Sequence, residues 1–161
     1  MSSQVLRAQD IKGPWVNFLR AHAAVTRQLS ARLEAAHGLT LSDFDVLVQL
    51  YYAPERSLRR VDIARAVLLT ASGITRLLDG LERAGWVEKR ACERDARVSY
   101  AVLTEAGLKK FEEARSSHTA DVEELFGSRF TLEEREQLAE LLGRLPLAET
   151  SEACKTERDA E

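Results

Sequence analysis

Apolar residues between Trp15 and Leu33 fall at Trp15, Phe18, Leu19, Val25, Leu29 and Leu33, the three-and-four spacing of a helix with one apolar stripe. Pro14 suits a first helical position, where a missing N–H costs nothing, and Gly38 suits the left-handed residue that ends the helix. A second, shorter helix is expected from an N-cap at Ser42, with Phe44, Leu47, Leu50 and Tyr51 inward and a stop before Pro54. The segment "PERSLRR" reads as a basic turn. A third helix then faces Val61, Ala64 and Val67 to the core.

From Thr70 to Ala84 the run "TASGITRLLDGLERA" predicts a fourth helix with Ile74, Leu77, Leu78 and Leu81 on its apolar side and Gly85 closing it. Ser72, Thr75, Arg76 and Asp79, three and four residues apart, share the opposite face. Two runs able to form strands follow, Val87 to Ala91 and Val98 to Leu103, around a tip whose six residues include Glu93, Arg94, Asp95 and Arg97. Thr104 is placed to cap a long fifth helix carrying Leu108, Phe111, Val122, Leu125 and Phe126. A capping box from Thr131 to Glu134 opens a sixth, with Leu138, Leu141, Leu142 and Leu145, that ends at Pro146.

The pattern predicts a mostly α-helical fold: six helices and one small β-hairpin, with a compact helix-turn-helix and hairpin module at 41–103. A helix at 1–40 and two more at 104–146 carry apolar stripes that this module is too small to cover, so an intertwined homodimer is expected. Residues 147–161 show no periodicity and read as a disordered acidic tail.

Composition narrows the function classes. Hydrophobic residues make up 45% and charged residues 30% of the 161 positions, ordinary for a globular chain. No apolar run reaches the roughly 18 residues of a membrane span, and the first ten residues lack the apolar core of a signal peptide, so a cytoplasmic location with no membrane contact is expected. Cys92 and Cys154 stand far apart, forming neither a disulfide framework nor a metal pair. There is no glycine-rich phosphate loop, metal-ligand cluster or GxSxG elbow, so neither an enzyme nor a cofactor is expected.

The net charge of −3 conceals a division along the chain. Residues 56–97 carry ten basic and six acidic side chains, whereas 98–161 carry eight and fifteen. A basic middle surface can therefore coexist with an acidic frame. A helix-turn-helix with a polar second face has the dimensions and chemistry to enter a DNA major groove. Ser72 and Thr75 offer hydroxyls to bases or phosphates, and Arg76 can fork onto guanine or clamp phosphate. The same face would also serve as an ordinary solvated surface. The hairpin favours the first reading, because Arg94 and Arg97 at its tip can reach phosphates or a minor groove, with Asp95 holding Arg97 in place.

The stretch "SGITRLLDGLERAGWVEKRACERDARVSYAVLTEAGL" resembles the recognition helix and wing of the MarR family of winged helix-turn-helix transcription regulators. The matching features are Thr75–Arg76, the "LERAGWVEKR" helix exit, the Asp95-x-Arg97 pair and the "LTEAG" start of the next helix. The resemblance implies a homodimer joined through its first, fifth and sixth helices, binding a palindromic DNA operator as a repressor and releasing it when a small phenolic or anionic ligand fills the crevice between lobe and dimer interface. Many relatives carry a second arginine where Ala96 stands, so this wing is less charged.

For the ligand, the candidates are Trp15, His22, Asp45 and Arg90. Asp45 and Arg90 match an aspartate–arginine pair of the urate-responsive subset, although the extra N-terminal tryptophan of that subset has no counterpart. They are also candidates for a structural ion pair. Trp15, Phe18, His22, Phe44 and Tyr51 suit either an aromatic crevice or the core, and His22 and His118 could meet. Cys92 lies among Lys89, Arg90 and Arg94, which would favour a reactive thiolate and a redox-responsive regulator; the alternative is a small residue on a strand. The peroxide-sensing subset keeps its cysteine in the first helix, and none precedes residue 92 here. A winged-helix module that binds a protein partner is the remaining alternative.

Overall fold

The computed structural model of the chain describes residues 3–67, 71–92 and 98–145. Among these are six helices: α1 (Ser3–His37), α2 (Leu41–Tyr52), α3 (Arg60–Ala66), α4 (Ala71–Arg83), α5 (Glu105–Leu125) and α6 (Leu132–Gly143). Three short strands, β1 (Ser57–Arg59), β2 (Val87–Ala91) and β3 (Ser99–Leu103), form one antiparallel sheet in the order β1-β3-β2. The predicted wing hairpin is present, with Val87 opposite Leu103 and Ala91 opposite Ser99. The tail from 147 and the tip residues 93–97 lie outside the described residues.

Four local expectations are corrected. Pro14 does not begin α1; it lies inside a helix of 35 residues. A proline forfeits one backbone bond there without stopping the flanking turns, and α1 extends about 52 Å at 1.5 Å per residue. The N-cap of α2 is Thr40, not Ser42. Asp43 bonds back to the Thr40 N–H at 2.8 Å, and the Asp43 N–H donates to the Thr40 hydroxyl at 3.1 Å, a reciprocal box that places Ser42 already inside the helix.

The turn "PERSLRR" contains β1, whose Leu58 lies opposite Ala101 of β3. A strand of three residues is too short to display an alternating pattern. Before it, Glu55 and Arg56 take left-handed backbone angles, φ 53° and 51°, which reverse the chain after Pro54. In α3 the inward residues are Ile63, fully buried, and Val67, one turn on; Val61 is 50% exposed. Val67 and the half-buried Ala64 pack against the core as expected, so only Val61 leaves the inward face, which Ile63 completes.

The core gathers Leu33 of α1, Phe44, Leu47 and Leu50 of α2, Ile63, Leu78 and Leu81 of the helix-turn-helix, and Phe111 of α5. Residues 12–24 of α1 stay outside it, all exposed. Thus Trp15 at 56% and Phe18 at 41% exposure are not core residues within one chain. Gly38 (φ 66°) and Gly85 (φ 75°) close α1 and α4 in the left-handed conformation that glycine adopts at least cost. Thr104 and Thr131 cap α5 and α6 as expected, the latter with Glu134 in a capping box.

The joint between wing and scaffold is a close backbone approach. The Thr104 hydroxyl donates to the Gly85 carbonyl at 2.7 Å and accepts from the Gly107 N–H at 3.0 Å, and the Thr104 N–H donates to the Trp86 carbonyl at 3.1 Å. A methyl group on Gly107 would sit 2.0 Å from the Trp86 carbonyl oxygen. Gly107→Ala should therefore lower stability by about 2 to 3 kcal/mol in urea unfolding. Gly80→Ala, in a helix with nothing within 4 Å of the added carbon, should be neutral or stabilise by up to about 1 kcal/mol. Equal effects of the two would contradict the close approach.

Candidate nucleic-acid interface

The hydrophobic side of α4 is driven inward at Ile74, Leu78 and Leu81, each at most 3% exposed, so the helix can turn only its polar side to solvent. Thr75, Arg76 and Asp79 are exposed on that side. Ser72 belongs to the same face by spacing, and its side chain lies outside the described residues, as do Arg94, Asp95 and Arg97 of the tip. The β2–β3 ladder begins four residues after α4 and holds the wing beside this helix. It is extended by the Cys92 N–H, which donates to the Val98 carbonyl at 3.0 Å.

Three acids of the lobe, Asp62, Asp79 and Glu88, are paired with arginine. Arg59 grips Asp62 through two bonds of 2.6 and 3.0 Å, and Arg65 reaches the same carboxylate at 3.9 Å. Arg90 pairs with Glu88 at 2.9 Å, Arg56 with Glu105 at 3.3 Å, and Arg60 stands 4.0 Å from Asp79. Exposed pairs of this kind add little stability, but they cancel negative charge around α4. Among the described residues no acid lies within ion-pair distance of Arg76 or Lys89.

The ion pair expected between Asp45 and Arg90 does not form. Arg90 turns along its own strand to Glu88, and Asp45 instead accepts a 3.4 Å bond from Gln49 one turn on in α2. His22 and His118 do not meet within one chain either. His22 continues an exposed ring stack along α1, with centroids 6.2 Å apart from Trp15 to Phe18 and 6.3 Å from Phe18 to His22. His118 of α5 sits 4.6 Å from the Phe44 ring. The five aromatic-crevice candidates therefore divide, three along α1 and two, Phe44 and Tyr51, against Phe111.

An open crevice of about 420 Å³ lies between α2 and α5, lined by Leu41, Ser42, Phe44, Asp45, Val48 and His118. Partial burial pushes the Asp45 carboxyl up, with the Gln49 bond opposing, and pushes the His118 imidazole down, with Asp121 opposing. His118 Nδ1 is buried without a hydrogen-bond partner. Farther along the same helix pair, Arg115 lies over the rings of both Tyr51 and Tyr52, 5.9 Å from each. Neither His118 nor Arg115 stood out in sequence as a partner of α2, because their contacts lie more than sixty residues away. Cys92 is half-buried. Among the described residues no three His, Cys, Asp or Glu side chains gather as a metal site, and no helix is long and apolar enough to cross a membrane.

A short helix, a turn, an amphipathic helix with its polar face outward and an antiparallel hairpin folded beside it define a winged helix-turn-helix protein. Residues 37–98 match the family model described as MarR family. The chain is 30% identical over 128 residues to the HTH-type transcriptional regulator MhqR of Bacillus subtilis, covering 80% of this chain and 86% of that protein. Among solved structures it resembles Sco3205, a MarR family transcriptional regulator from Streptomyces coelicolor in complex with DNA, with a TM-score of 0.76 at 26% identity over 80% of each chain. It resembles AbsC, of the same family and organism, at the same score and identity over 93% of this chain and 95% of that one. The chain belongs to the MarR family of transcriptional regulators, which are not enzymes.

The two titrating groups of the crevice have opposite consequences for stability. The lowered His118 value contributes stability that is present above 6.5, the ordinary histidine value, and is lost as pH falls through the folded value. The raised Asp45 value contributes stability that is present below 3.8 and is lost as pH rises through the folded value. His118→Phe should accordingly flatten the fall in melting temperature between pH 7 and pH 5, and Asp45→Asn should raise the melting temperature at pH 7. Unchanged pH profiles in both variants would remove the burial argument.

Proposed function

We propose that this protein is a sequence-specific DNA-binding regulator, acting in the cytoplasm as a homodimer on a palindromic operator. The observation that carries this reading is the exposed Thr75–Arg76 face of α4 beside the wing, where Asp79 is paired with Arg60 and Glu88 with Arg90. In this reading α4 lies in the major groove, with Ser72 and Thr75 as hydroxyl contacts and Arg76 as the base or phosphate contact. Arg94 and Arg97 of the wing meet phosphate or the minor groove, and Asp95 orients Arg97. Repression is the simplest output, since occupying a duplex excludes other proteins without any further contact.

The dimer is supported by apolar surface that one chain leaves open: Trp15, Val16, Phe18 and Leu19 on α1, Leu132 and Leu141 on α6, and Leu145 just after it. We assign 1–40 and 104–146 to dimerisation and 41–103 to DNA. Covering α1 would also close the mouth of the α2–α5 crevice, where Asp45 and His118, with Trp15 and His22 from α1 and Arg90 from the wing base, could hold a small phenolic or anionic ligand that releases the DNA.

Selection from random-sequence DNA should yield a palindrome with half-site centres about one helical turn apart. Arg76→Ala should relax preference at one position by about 1 to 3 kcal/mol, whereas Arg97→Ala should weaken all duplexes alike and lower the salt slope by about one. Variants that bind like the parent at every salt concentration would remove these assignments. Phe18→Glu combined with Leu141→Glu should sediment as single chains with helix content retained; a persistent dimer would move the interface elsewhere.

A further inference from the structure

Asp79 is an acid in an awkward place. It lies one turn beyond Arg76 on the polar face of α4, with its side chain 54% exposed, and Arg83 extends that face by donating to the Asp79 carbonyl at 3.1 Å. A carboxylate presented there toward a polyanion would oppose the approach that Thr75 and Arg76 make productive, because like charges brought together across an interface weaken association. Yet its carboxylate lies within ion-pair distance of one cation only among the described side chains. That cation is Arg60, the first residue of α3.

Arg60 differs from the other arginines of the lobe. Its side chain is 22% exposed, against 49% for Arg59 and 74% for Arg65, and its Nη2 is closed off from solvent without a hydrogen-bond acceptor. The Nη2 lies 4.0 Å from the Asp79 Oδ1. This is within ion-pair range and beyond a hydrogen bond. The pair therefore cancels charge without locking either side chain, unlike the two-pronged Arg59–Asp62 bond beside it. The position of Arg60 is in turn set by the sheet, since Arg59 lies opposite Tyr100 of β3 and α3 starts at the next residue.

We propose that Arg60 is a positioning residue for DNA binding that acts through Asp79: it neutralises the carboxylate on the recognition face from behind, leaving Arg76 as the charge the duplex meets. The inference rests on the reading of α4 as the recognition helix. It assigns Arg60 no contact with DNA, so Arg60 adds nothing to the count of phosphate contacts.

The test is a double-mutant cycle on the full-length protein, with the duplex recovered from random-sequence selection as probe. Arg60→Met should weaken binding on the order of tenfold with the salt slope unchanged. Asp79→Asn alone should bind at least as tightly as the parent, and Asp79→Asn added to Arg60→Met should restore affinity to within about twofold. Arg60→Lys, which keeps the charge, should bind within about threefold of the parent and serves as the folding control. A salt slope lowered by about one in Arg60→Met, with no restoration by Asp79→Asn, would show a direct phosphate contact and overturn the proposal. Loss of affinity that follows loss of melting temperature, again without restoration, would reduce Arg60 to a structural residue, and an unchanged Arg60→Met would leave it no role. If the parent itself selects no duplex, the reading of α4 fails first and this inference with it.

Discussion

The Thr104 hydroxyl joins three elements at one point: it accepts from the Gly107 N–H that starts α5 and donates to the Gly85 carbonyl that follows α4, while the Thr104 N–H reaches the Trp86 carbonyl. Gly107 brings the helix so close to Trp86 that no side chain fits between them. This joint ties the end of α4, the base of the wing and the start of α5 together by hydrogen bonds. The Trp86 ring, with the Lys110 ammonium 5.2 Å from its centre, packs over the same corner.

This geometry explains why the crevice lies where it does. α5 runs from the joint past Phe44 and Tyr51 of α2 to the Arg32 cluster, where Arg32 of α1 donates to Asp121 at 2.6 Å and to Glu124 at 2.8 and 2.9 Å. Those bonds hold the Glu124 carboxyl below its usual range and raise the guanidinium further. One end of α5 is thus bound to the lobe and the other to α1, with His118 and Asp45 facing the gap between. The gap thus borders the helix that carries the joint.

The longer helices and their periodic faces were legible in the sequence because each has at least two turns of apolar spacing, and the cap at Thr131 because its reciprocal partner Glu134 lies three residues on. What escaped was short or distant. β1 has three residues, the Asp43 carboxylate competed unnoticed for the cap of α2, and Val61 exchanged places with Ile63 once the start of α3 moved to Arg60. The side chains around the crevice were harder still: Asp45 and Arg90 carry opposite charges and suggest each other on paper, yet each has a nearer partner, Gln49 and Glu88, within its own element. Local spacing identified the polar face of α4, whereas the neutralising approach of Arg60 depends on a sheet register that no short pattern encodes.

The central claim is that the polar face of α4 meets the DNA duplex. A photocrosslinking amino acid placed at position 75, compared with one at position 113 on the exposed side of α5, measures this directly with a labelled duplex from random-sequence selection. The account predicts efficient crosslinking to DNA from position 75, lost with rising salt, and none from position 113. Crosslinking from position 113 alone, or from position 75 only to protein, would contradict it.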